Sequence, residues 1–154
     1  MTIVSNTSPL IALDHLGDLD LIPQVLGGGL LIPPAVAREF QGGSVRSWIE
    51  VRPLQHPLGP KILQASLGAG ESEALALAME VGADLTLLDD KAARRLALTL
   101  RLPLLGTLGL LLKAKELGLI KEIRPKLIAL RTLPFHIAPK LYEAVLKDAR
   151  ESRP

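Results

Sequence analysis

The chain predicts an α/β fold in which a parallel sheet is sandwiched between helices. Three observations point that way. Short apolar runs, Ile3-Val4-Ser5, Leu30-Leu31-Ile32, Leu85-Thr86-Leu87-Leu88 and Leu104-Leu105, alternate with helical stretches. The third run is apolar nearly throughout, as expected of a strand covered on both faces. The 154 residues are 48% hydrophobic, enough for a substantial core in one domain.

The elements follow in order. Ile3 to Ser5 reads as a buried strand. Thr7 or Ser8 caps a helix with Pro9 in its first turn, which Gly17 ends. Asp18 to Leu26 forms a second short helix, limited by Pro23, and Gly27-Gly28-Gly29 is a turn. Leu30 to Ile32 is the second strand. Pro33-Pro34 starts a helix over Ala35 to Phe40, and Gly42-Gly43 ends it. Ser44 to Glu50 reads as a further helix turn holding Trp48. Val51 to Pro60, rich in proline, reads as a loop or an edge strand. Lys61 to Leu67 is a short helix.

Ser72 to Val81 is apolar on nearly every side, so its helix should be buried, with Gly82 at its end. Leu85 to Leu88 is the third strand. Asp90 to Leu100 is a helix with Leu96 and Leu100 inward and Lys91, Arg94, Arg95 and Arg101 toward solvent. Leu104-Leu105 is a fourth strand, and Gly106-Thr107 caps a helix to Leu117. Helices over Arg124 to Arg131 and Pro139 to Ala149 follow, the latter with Leu141, Val145, Leu146 and Ala149 on one face. Ser152 to Pro154 is a frayed end. One domain spans 1–154, with a core over 3–120 and C-terminal helices over 121–150.

Composition narrows the function. Cysteine is absent, which excludes disulfides and thiolate metal sites and suits a reducing cytoplasm. No basic leader opens the chain, and charge, Pro or Gly interrupts every apolar stretch well before membrane-spanning length, so a cytoplasmic protein is expected. Residues 1–110 hold 8 Lys/Arg against 11 Asp/Glu, and residues 111–154 hold 10 against 5. A solvated basic tail is the plainer reading of the second half, a resting place for a polyanion the sharper one. No glycine-rich phosphate loop is present, which disfavours a generic doubly wound phosphate-binding domain.

Candidate site residues sit where strands end or helices begin. Asn6 follows the first strand, Glu39 lies on the helix after the second, Glu71 and Glu73 open an apolar helix, and Asp89-Asp90 closes the third strand. In open α/β sheets ligands bind along that edge. Carboxylates gathered there repel one another and need a cation, and oxygen donors suit magnesium or manganese. His15, His56 and His136 are scattered and have no ligand spacing. Alone, Glu39 would be a solvated helix acid, Glu71 and Glu73 would complement a helix dipole, and Asp90 would be a helix cap, as would Thr107.

The segments Val4-Ser5-Asn6-Thr7-Ser8-Pro9-Leu10-Ile11, Pro34-Ala35-Val36-Ala37-Arg38-Glu39-Phe40, Gly70-Glu71-Ser72-Glu73-Ala74, Leu88-Asp89-Asp90-Lys91-Ala92-Ala93-Arg94 and Gly106-Thr107-Leu108-Gly109, in this order, resemble a subfamily of PIN-domain proteins. The resemblance covers about residues 3–120. It implies a three-layer α/β/α sandwich and a metal-dependent ribonuclease, with VapC-type toxins held by a small antitoxin among its members. Homodimers are common among such relatives. Carried over by position, Asn6 stands at the first acidic position, Glu39 at the second, Glu73 at the third with Glu71 as helper or alternative, and Asp89 or Asp90 at the fourth. Thr7 or Ser8 matches the assisting hydroxyl. These residues would hold Mg or Mn, while Arg38, Lys91, Arg94 and Arg95 could hold an RNA backbone.

Asn6 departs from the pattern. Its amide oxygen can ligate a cation but adds no charge. It is also the only asparagine of the chain. Two expectations follow: an active metal-dependent endoribonuclease, or a catalytically weakened PIN domain that binds nucleic acid or protein.

Overall fold

Residues 1–41, 46–134 and 137–152 are described by a computed structural model. Five strands form one all-parallel sheet: β1 (Ile3–Ser5), β2 (Leu30–Ile32), β3 (Ile49–Val51), β4 (Leu85–Leu87) and β5 (Leu104–Leu105), in the order β3-β2-β1-β4-β5. The most deeply buried strand takes the centre. Ile3 and Val4 of β1 are fully buried, with β2 on one side (Val4 opposite Leu31) and β4 on the other (Ser5 opposite Leu87). The order of strands reverses direction between β1 and β4, so the switch point at which open α/β sheets bind ligands lies where those two strands end.

Helices cover both faces. Between β1 and β2 lie α1 (Thr7–His15) and α2 (Leu21–Leu26); α3 (Pro34–Glu39) follows β2. After β3 come α4 (Leu58–Leu63) and α5 (Ala69–Val81). Then α6 (Lys91–Thr99) links β4 to β5, and α7 (Thr107–Glu116), α8 (Arg124–Leu130) and α9 (Pro139–Asp148) complete the chain. Leu10, Leu13, Ile22, Leu110, Leu111, Leu127 and Leu146 join β1 and β2 in the larger core, while Leu75, Leu88, Ala93 and Ala97 form a smaller one under α5 and α6. The result is the three-layer sandwich expected. No helix among the described residues is long and apolar enough to cross a membrane.

Local departures from the sequence reading have physical causes. Trp48 precedes a strand rather than occupying a helix turn. Ile49 to Val51 pair with β2, and the alternation there is hidden because an edge strand leaves Glu50 and Val51 exposed. Helix α1 starts at Thr7 with Asn6 at the cap position, and no side chain caps it. On α6 the small Ala93 and Ala97 are the buried positions, where the sheet lies close, and Leu96 and Leu100 are only half-buried. On α9 Leu141 is exposed and Tyr142 is buried instead, its ring stacked under Arg131 at 4.3 Å. Gly42-Gly43, Ser44-Val45, His136 and Arg153-Pro154 lie outside the described residues.

The C-terminal end is tied down. The Glu151 carboxylate accepts from Lys115 Nζ at 2.8 Å and from the N–H groups of Ile123 (2.7 Å) and Arg124 (3.0 Å). Arg124 in turn donates to the Glu151 carbonyl at 2.6 Å. One acid thus supplies the start of α8 with the acceptor that its own sequence lacks.

Candidate functional site

At the switch point the ends of β1 and β4 are joined by backbone: the Asn6 N–H donates to Leu87 O at 3.0 Å. The Asn6 side chain is 1% exposed, and neither its Oδ1 nor its Nδ2 has a hydrogen-bond partner among the described residues. An amide buried without partners costs roughly 1–3 kcal/mol. Such a group, held at a sheet edge, is a candidate for binding something.

Beside it, α3 and α5 cap one another. The chain enters α3 through Pro33-Pro34, and neither proline can cap it. Glu73 of α5 supplies the missing acceptor, taking the Ala35 N–H on Oε1 at 3.0 Å. Its Oε2 lies 3.8 Å from Arg38 Nη2. In return, Glu39 at the end of α3 takes the Gly70 N–H of the first turn of α5 on Oε1 at 3.2 Å. Its Oε2 accepts from Thr7 Oγ1, which links α3 to the residue after Asn6. Gly70 makes this possible, since a Cβ there would lie 2.2 Å from Glu39 Oε2.

On the other side of Asn6, Asp89 follows β4. Thr107, at the start of α7, donates to it twice: N–H to Oδ1 at 2.8 Å and Oγ1 to Oδ2 at 2.6 Å. Burial pushes the Asp89 carboxyl above its ordinary pKa, and the Thr107 bonds and the Arg94 charge only partly oppose this. Arg94 Nη1 donates to Leu88 O at 2.8 Å, so this side chain turns back along α6 to the end of β4.

The expected residues therefore sort into groups. Thr7 and Glu39 are in direct contact, and Glu73 meets the other end of the same helix. Asp89 stands across the Asn6 backbone from them. Asp90 is exposed and caps α6, accepting the Ala93 N–H at 2.9 Å. Glu71 folds back over Gly68, with Oε2 2.5 Å from where a Cβ on that glycine would be. Ser8 is half-buried and makes no side-chain hydrogen bond among the described residues. Nor do any three Asp, Glu, His or Cys among the described residues lie close enough to hold one metal ion. The acids share one edge, but each is hydrogen-bonded or folded onto a local partner.

Two participants were underrated by sequence. Thr107 reads as a helix cap, yet its hydroxyl serves Asp89. Arg94 reads as a solvent-facing side chain that could hold an RNA backbone, yet it is half-buried at the edge. The signal for both was Gly106-Thr107, which follows β5 at the same edge.

The DUF3368 family, a PIN domain, matches residues 2–151. The chain belongs to the PIN-domain family. No curated protein and no solved structure matches the chain. The PIN assignment covers nearly the whole sequence, including the C-terminal helices and Glu151, and places the chain among nuclease-type domains.

Proposed function

We propose that this PIN domain is a metal-dependent endoribonuclease, the toxin of a type II pair held by a small antitoxin protein, acting in the cytoplasm as a homodimer. The observation that carries the reading is the buried carboxamide of Asn6, without a partner among the described residues, at the switch point where β1 and β4 end. The donors suit magnesium or manganese in kind, because all are hard oxygens. Asn6, Glu39, Glu73 and Asp89, or Asp90 in its place, would hold the ion, with Glu71 as helper. The ion would supply a nucleophilic water near neutral pH and charge relief at the phosphate. Thr7 orients Glu39 and Thr107 orients Asp89, as outer partners of ligands commonly do. Loading an ion requires Glu39 or Asp89 to swing from its present partners, since no three acids stand together among the described residues.

That same observation, with the neutral Asn6, favours a second reading: a weakened PIN domain that binds nucleic acid or protein without cutting it. Labelled single-stranded RNA with Mn2+ separates the two. Cleavage by the native chain that Glu73→Gln abolishes supports the nuclease. Cleavage only by Asn6→Asp supports the binding module. Growth arrest on expression, relieved by a small adjacent reading frame, tests the toxin role, and light scattering tests the dimer.

A further inference from the structure

The geometry points to Arg94 as the residue that holds a phosphate of the RNA at this edge. The inference rests on the nuclease reading and goes beyond it by naming the positively charged group that the site presents to its substrate. Arg94 lies one turn into α6, and its backbone N–H bonds to Asp90 O at 2.8 Å. From there its side chain reaches back to the end of β4, where Nη1 donates to Leu88 O at 2.8 Å. One nitrogen is thereby fixed by main chain. The remaining guanidinium N–H groups have no partner among the described residues, and no carboxylate lies within ion-pair distance.

The neighbouring element is shaped to admit this group. A Cβ on Gly106 would fall 2.8 Å from Arg94 Nη1 and 2.9 Å from Asp89 Oδ1. Glycine at that position is what lets a cation and the Asp89 carboxylate share the edge. A half-buried guanidinium held by one nitrogen, with its other donors free, is organised in advance for an anion that accepts from several donors at once. The neutral Asn6 fits this arrangement, since an acid at position 6 would add a competing anion to the same edge. Lys91 and Arg95 on the same helix are exposed and lack any such anchoring.

The test is RNA binding by the full chain in EDTA, where cleavage cannot confuse the signal. Fluorescein-labelled single-stranded RNA is titrated at several NaCl concentrations and followed by anisotropy. Each phosphate contact on a single strand contributes about 0.7 to the slope of log K against log salt. Arg94→Met is expected to lower the slope by about 0.7 and the affinity about tenfold. Arg94→Lys keeps the slope and loses part of the affinity, because it lacks the fork. Gly106→Ala keeps every charge but displaces the guanidinium, so it weakens binding and lowers the slope in the same sense as Arg94→Met, and it serves as the second variant should Arg94→Met fail to fold. Native slope and affinity in a folded Arg94→Met, or undiminished binding by Gly106→Ala, overturn the assignment while leaving the nuclease reading intact. If the native chain binds no single-stranded RNA in EDTA, this inference falls; if it also fails to cleave RNA with Mn2+, the nuclease reading falls too.

Discussion

Glu73 is where structure and proposed chemistry can be separated most cleanly. Its Oε1 accepts the Ala35 N–H, and Ala35 is only 2% exposed, so no water can easily replace that bond. Glu73→Gln keeps an amide oxygen for the bond. What it loses is the pairing with Arg38, which at 3.8 Å and 65% side-chain exposure of the arginine is worth about 0–1 kcal/mol. Glu73→Ala removes the acceptor and strands a buried N–H, at a cost of about 1–3 kcal/mol. In a domain of this size each kcal/mol moves Tm by about 2–4 °C, so the alanine variant should melt about 2–12 °C lower. The glutamine variant should melt within about 4 °C of native. If Glu73 also holds the ion, Glu73→Gln should lose Mn2+-dependent RNA cleavage about a hundredfold while remaining folded, a size typical of disturbed metal sites. Calorimetry and a gel-based cleavage assay read the two effects independently. Full cleavage by Glu73→Gln would leave Glu73 a helix cap and nothing more, and native stability in Glu73→Ala would refute the capping argument itself.

Further outcomes are expected from the same geometry. Thr107→Val preserves shape but removes the hydroxyl from Asp89, and should cost about 1.5–3 kcal/mol in urea unfolding. Asp89 has a raised folded pKa, so its ionisation opposes folding as pH rises from the ordinary aspartate value of 3.8 through the folded value; the Thr107→Val penalty should therefore be larger at neutral pH than near the acid end. Glu151 behaves in the opposite sense: burial pushes its pKa up, but the bonds from Lys115, Ile123 and Arg124 outweigh this and hold it below 4.5. Its contribution is present above 4.5 and fades as pH falls through the lower folded value, so Glu151→Gln should destabilise at pH 7, read by thermal melts, and much less under strong acid. Gly70→Ala places a Cβ 2.2 Å from Glu39 Oε2, yet it gains about 0.8–1 kcal/mol of helix propensity and Glu39 can turn to solvent; stability should change by under about 1 kcal/mol while Mn2+-dependent cleavage falls with the displaced carboxylate.

Much of the fold was legible because the local signals agree. Leu30 to Ile32 is followed by Pro33-Pro34, which can only end a strand and start a helix, and Asp90 caps α6 as its residue type suggests. β3 was read only as an edge-strand alternative beginning at Val51, with Ile49 and Glu50 given to a helix turn, because an edge strand shows only one covered side and a three-residue run carries no period. Tyr142 and Leu141 exchanged roles because a ring over Arg131 buries more area than the periodicity of leucine alone can reveal.

At the site, position was legible and partnership was not. That Asn6 and Asp89 lie on one edge follows from strand order, which sequence alternation encodes. That Glu39 meets Thr7, that Glu73 caps α3 and that Thr107 serves Asp89 are contacts between residues 18 to 38 positions apart, with no local signature. The same contacts keep the acids of this edge apart: helix N–H groups and hydroxyls serve Glu39, Glu73 and Asp89 separately. The Asn6 side chain has no such partner among the described residues. An acid at position 6 in this setting would be a buried anion without a donor among the described residues, so Asn6→Asp should lower thermal stability. If position 6 also faces an ion, as proposed, the added charge would raise affinity for it, and stability and affinity would pull in opposite directions at this one residue.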